Sequence, residues 1–110
     1  MTTQEVSQMI ASIGVPYAYY QFSEDTAKPP PFICFYFADS EDFLADNINY
    51  VKIRPLVIEL YTDSKDFDLE TEIEDTLAAH EVVYTKEETA IDSERMYMVT
   101  FLTEVLLTDA

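Results

Sequence analysis

The sequence predicts an α+β fold: an antiparallel or mixed sheet of about five strands with two helices packed on one face. Three observations carry the prediction. Two segments, residues 2–13 and 66–79, place apolar residues at helical spacing. The remaining apolar segments are rich in aromatic and β-branched residues, as strands are. Most of the connections between those strands are of hairpin length, which favours antiparallel neighbours. The order is α-β-β-β-α-β-β, in a single domain over residues 1–110.

The elements are justified in turn. Thr2-Thr3-Gln4-Glu5 fits a capping box, with Thr2 as cap and Glu5 reaching back. Val6, Met9, Ile10 and Ile13 then share one helix face. Gly14, the one glycine of the chain, stands where a helix ends in positive φ, and Val15-Pro16 stops any continuation. Residues 17–22 read as a first, aromatic strand. Pro29-Pro30-Pro31 is stiff and delivers the chain into a second strand over 32–38. Its six consecutive apolar or aromatic residues, Phe32 through Phe37, demand cover on both faces, which a chain this small can scarcely supply. An acidic-aromatic loop is expected over 39–50, then a long strand over 50–62. Val51 and Ile53 alternate in one parity before Pro55, and Leu56, Ile58 and Leu60 in the other after it, so a bulge is expected at the proline. Asp66 caps the second helix, with Asp68 and Glu70 in its first turn and Leu69, Ile73 and Leu77 as its core stripe. A short strand over 82–85, a polar connection and a final strand over 95–107 complete the chain.

Composition excludes several functions. Six basic residues face 22 acidic ones, a formal net charge of −16. Nucleic acid and anionic membranes repel such a surface, because binding either needs Lys and Arg against phosphates. Three uses of the charge remain open: a surface that DNA slides past, an imitation of DNA, or solubility alone. No run approaches the ~18 apolar residues of a membrane span, and the first residues lack the basic and apolar regions of a leader. Cys34, the one cysteine, lies in an apolar run and reads as core, which fits a reducing cytoplasm.

Chemistry is sparse. One glycine cannot build a phosphate loop. A nucleophilic pair of Cys34 and His80 would join a buried strand to a helix end without an orienting third group; His80 fits better as a partner of its helix's last carbonyls. Zinc lacks ligands, and neither Asp39-Ser40-Glu41-Asp42 nor Asp63-Ser64-Lys65-Asp66 has the glycine and final glutamate of a calcium loop. No enzyme activity, cofactor or metal is expected. The 15 aromatic residues (eight Tyr, seven Phe) lack the basic groove of a base-stacking platform, so they are assigned to core and protein interface.

The order and spacing of several pieces resemble a known family. They are Ile13-Gly14-Val15-Pro16-Tyr17-Ala18-Tyr19, Pro30-Pro31-Phe32-Ile33-Cys34, Asp42-Phe43-Leu44-Ala45-Asp46-Asn47 and Ile58-Glu59-Leu60-Tyr61-Thr62-Asp63 with Lys65-Asp66. His80-Glu81, Tyr84, Lys86-Glu87 and Ile91-Asp92-Ser93-Glu94 continue the pattern. Together they resemble the small tail-completion, or tail-terminator, proteins of long-tailed bacteriophages and prophages. Two positions depart from it: Asn47 replaces a usual loop glycine, and no glycine follows His80-Glu81.

The resemblance implies a structural virion protein that assembles as a homo-oligomeric ring, a hexamer, on the last ring of the tail tube. It would end tube growth and present its other face to the head-tail connector protein. Its partners would be further copies of itself, the tail-tube protein and the connector. DNA would pass through without specific binding, and no membrane is involved. The protein would reside in the host cytoplasm during assembly and then at the head-tail junction of the virion. Asp42, Phe43, Leu44, Asp46, Asn47 and Tyr50 are the expected docking residues, since Phe43 and Leu44 are apolar in an acidic segment. Asp39, Glu41, Asp42 and Asp46 are the candidates for a DNA channel. Two alternatives stand beside this reading. One is a neighbouring head-closure or connector subunit. The other is an acidic DNA mimic that inhibits a DNA-binding enzyme through Glu70, Glu72 and Glu74.

Overall fold

The computed structural model of the chain describes residues 1–22, 28–38, 41–45 and 48–107; along 41–45, along 48–54 and at 106 it describes the backbone alone. Helix α1, Thr3–Ala11, begins as the capping box dictates. The Thr2 hydroxyl accepts from the Glu5 amide at 3.1 Å, and the Glu5 carboxylate accepts from the Thr2 amide at 2.9 Å. Gly14 follows at φ +92°, with open space where a Cβ would stand. The glycine is there for its backbone, not for room. Helix α2, Phe67–Ala79, starts where the Asp66 carboxylate accepts from the Leu69 amide at 3.0 Å. At its end the His80 ring nitrogen Nδ1 donates to the Thr76 carbonyl at 2.9 Å, the role expected of it.

The strands are β1 (Tyr17–Tyr19), β2 (Phe32–Phe37), β3 (Glu41–Ala45), β4 (Ile48–Thr62), β5 (Tyr84–Ile91) and β6 (Met96–Leu107), with a short 3-10 turn at Asp92–Glu94. They form one sheet in the order β1-β2-β4-β6-β5, with β3 also on β4. β1 runs parallel to β2 and every other pair is antiparallel, so the sheet is mixed. Ile33 pairs with Leu60 and Leu60 with Val99; Phe35 pairs with Ile58 and Ile58 with Phe101. These rows share one face. Val6, Met9 and Ile10 of α1 and Leu69, Ile73 and Leu77 of α2 complete the same buried cluster. The two helices therefore cover one face of the sheet, as the α+β reading requires.

β1 stops at Tyr19 instead of running to 22, and three further features differ from expectation. Residues 41–45 form β3, paired with Ile48–Ile53, where a loop was expected; a ladder satisfies the backbone of this acid-rich segment. β5 runs to Ile91, through the expected polar connection. Its positions facing the helices include Lys86 and Glu88, opposite Phe101 and Val99, so it lacks the apolar alternation that marks a strand. The third concerns Pro55. β4 pairs with β6 without a break from Lys52 to Thr62, so no bulge lies at the proline. The Pro55 carbonyl accepts from the Ala38 amide at 2.8 Å, just past the end of β2. A strand residue aims its N and O to the same side, so the missing N–H falls in the gap where β4 passes from β2 to β3. The irregularity is farther up the strand. Phe43 pairs with Val51 and Leu44 with Asn49, leaving Tyr50 as the bulged residue.

Candidate interaction surface

The face of the sheet away from the helices carries the second face of the over-apolar strand. Period-two alternation puts Phe32, Cys34 and Tyr36 of β2 there, beside Val57, Glu59 and Tyr61 of β4. Cys34 and Val57 are buried; Phe32, Tyr36, Glu59 and Tyr61 are half-buried. Phe32 stacks on Tyr61 with ring centroids 4.9 Å apart, and Phe22 meets the Phe32 ring edge-on at 5.5 Å. Tyr20 closes the other side. It sits at φ +70°, in the left-handed region that bulky residues avoid, donates its amide to the Phe35 carbonyl at 2.7 Å, and lays its ring 5.2 Å from that of Tyr36. These rings and Glu59 bound an open cleft of about 610 Å³, with Lys28, Glu94 and Met96 at its rim.

Glu59 sets the electrostatics of the cleft. The Tyr61 hydroxyl donates to its Oε1 at 3.2 Å. Burial, and then the charge and hydrogen bond of Glu59, push the Tyr61 phenol far above its ordinary value. Burial and the same carboxylate also push up the Tyr36 phenol and the Cys34 thiol. A thiol held protonated on the sheet, with His80 engaged at a helix end, makes no nucleophilic pair.

A second charged constellation lies between α2 and β5. Glu70 is only 2% exposed. Lys65 reaches one of its carboxylate oxygens at 2.6 Å and Lys86 the other at 2.7 Å. Lys65 also pairs with Glu88, and Lys86 approaches Glu74 at 3.5 Å. Burial pushes the Glu70 carboxyl up, but the hydrogen bonds and charges of the two ammonium groups outweigh it and hold the carboxyl below its ordinary value. A carboxylate that is buried and neutralised by two lysines cannot stand in for a phosphate on the surface. This removes the first member of the Glu70, Glu72, Glu74 row that a DNA mimic would present.

The residues expected to dock divide in two. Glu41, Asp42, Phe43 and Leu44 lie on β3 and Tyr50 at the bulge of β4, so the hairpin brings them together. Asp39, Asp46 and Asn47 lie outside the described residues. The register sets Asp42 opposite Lys52. The aromatic cleft was not singled out from the sequence, although Phe32-x-Cys34-x-Tyr36 and Val57-x-Glu59-x-Tyr61 hold its alternating signal. Tyr50 and Tyr61 are eleven residues apart on β4, roughly 35 Å at strand rise, so hairpin and cleft are separate surfaces.

The fold thus defines an α+β domain with one sheet face covered by helices and the other lined by aromatics. Among the described residues no group of three or more His, Cys, Asp or Glu is arranged to hold a metal ion, and no helix is long and apolar enough to cross a membrane. No family model matches the chain, and no curated protein matches it. Among solved structures it is similar to a chain of the "Virion of native gene transfer agent (GTA) particle". The TM-score is 0.52 at 11% identity, over 89% of this chain and 82% of that one. At that identity the likeness is one of fold.

Proposed function

We propose that this chain is a structural subunit of a phage-type particle that caps the tail tube as a ring and forms the surface to which the head connector joins. The observation that carries the reading is the fold shared with a virion chain of a gene transfer agent along 89% of the sequence. The resemblance to tail-terminator proteins narrows it to the head-tail junction. The net charge of −16 fits a wall that DNA passes without adhering. Spare aromatic surface on a small subunit fits a protein that completes its burial against neighbours. Six copies would close the ring, contacting the tail-tube protein on one side and the connector on the other.

The test is deletion of the gene in its phage or prophage, with electron microscopy of the particles. Overlong or unjoined tails, restored to uniform length by the protein supplied in trans, are expected. Tails of normal length attached to heads would overturn the proposal. Uniform tails beside heads that leak DNA would favour the neighbouring head-closure subunit.

A further inference from the structure

We infer that the aromatic cleft is a docking pocket for an arginine side chain presented by a partner protein. This goes beyond the virion reading and rests on the cleft alone, whatever assembly the chain enters. The first argument is charge. Glu59 is a half-buried carboxylate walled by Phe32, Tyr36 and Tyr61, and its one hydrogen bond among the described residues comes from the neutral Tyr61 hydroxyl. Taking a carboxylate partly out of water is unfavourable unless a cation compensates it. The cations that the structure does pair are engaged elsewhere: Lys65 and Lys86 both serve Glu70. Among the described residues no ammonium or guanidinium lies within ion-pair distance of Glu59; Lys28 lines the cleft without pairing with it, which leaves the carboxylate open to a partner's cation.

The second argument is shape. Aromatic rings beside a carboxylate suit a flat, delocalised cation that packs on them while it forks onto two oxygens, which is guanidinium rather than ammonium. About 610 Å³ admits such a side chain with part of its segment. Glu94 and Lys28 also line the cleft and offset each other in charge, so Glu59 supplies the attraction. The occupant is therefore an arginine on a partner's segment. A second copy of this chain is the poorer candidate, since its sequence holds just two arginines, Arg54 and Arg95, against 22 acids.

The experiment is a titration of the isotope-labelled full chain with N-acetyl-arginine-methylamide, followed by amide NMR, with the lysine and citrulline counterparts as controls. Shifts centred on Cys34, Glu59 and Tyr61 are expected. Affinity should fall at least fivefold for the citrulline probe and for Glu59→Gln, a shape-conserving change that keeps an acceptor for Tyr61. Glu72→Gln, which removes an equal charge from the exposed side of α2, should leave the shifts in place. Shifts spread evenly over the acidic surface, or unchanged in Glu59→Gln, would overturn the inference; so would a lysine probe that binds as well as arginine. Tail length plays no part in this readout, so failure here leaves the ring proposal standing, and failure there leaves the pocket standing.

Discussion

Glu70 shows how one residue can look like surface in the sequence and be interior in the fold. Among 22 acids nothing marks it, because its partners Lys65 and Lys86 come from a loop and from a strand whose apolar pattern is missing. Replacing it with glutamine keeps the shape but leaves Lys65 with Glu88 alone and Lys86 with Glu74 alone, a loss of about 1–3 kcal/mol. Its folded value lies below the ordinary 4.5, so its stabilisation is complete above that pH and disappears as pH falls through the folded value. Urea midpoints taken from pH 7 downward should therefore fall more steeply below 4.5 in the native chain than in Glu70→Gln. Parallel curves would contradict this. Glu81 offers a gain instead. It holds φ +59° at the end of α2, in the position where a glycine is customary. Glu81→Gly should raise stability by about 0.5–1 kcal/mol, seen as a higher thermal midpoint, and Glu81→Val should lower it.

At the scale of elements, what the sequence disclosed was whatever local chemistry decides. Thr2, Gly14 and Asp66 mark their helix ends by side chain or by φ, and all three act as read. β3, and β5 beyond the expected strand over 82–85, were hidden because their pairing is decided by neighbours, not by their own apolar period. Pro55 misled for the same reason: a proline in a strand implies a bulge only if its missing donor was needed, and the gap between β2 and β3 removes the need. The aromatic cleft was half visible, as alternation on β2 and β4, but Tyr20 joins it through a left-handed backbone that no pattern announces. The hairpin of β3 and β4 carries the docking prediction. If the hairpin serves docking, replacing Phe43 and Leu44 with serine should leave the thermal midpoint within about 3 °C of the parent. Tails from that variant should be overlong or fail to join heads. Normal tails and full infectivity would remove the hairpin from the docking surface.

For the whole molecule, charge is the quantity that assembly would multiply. A ring repeats every lumenal carboxylate in each subunit, giving a field that salt confines to about 8 Å at physiological ionic strength. If Glu41 or Asp42 lines the hole, reversing it to lysine sets a ring of positive charge against DNA phosphates. Genome ejection should then slow, and the defect should ease as salt rises. Ejection at the parental rate at low salt would place these residues away from the path of DNA. The sheet holds a further consequence, one of folding order. β6 comes after every other strand in sequence, yet it lies between β4 and β5 in space. Its pairing with β4 joins the middle of the chain to its last described residues, so the sheet cannot close progressively as the polypeptide lengthens. A nascent chain lacking residues 96–107 should show no cooperative unfolding transition by circular dichroism, because its central ladder and a quarter of its core cluster are missing. A chain that stops before β6 then has no finished sheet to offer a partner, so any assembly waits on the last strand.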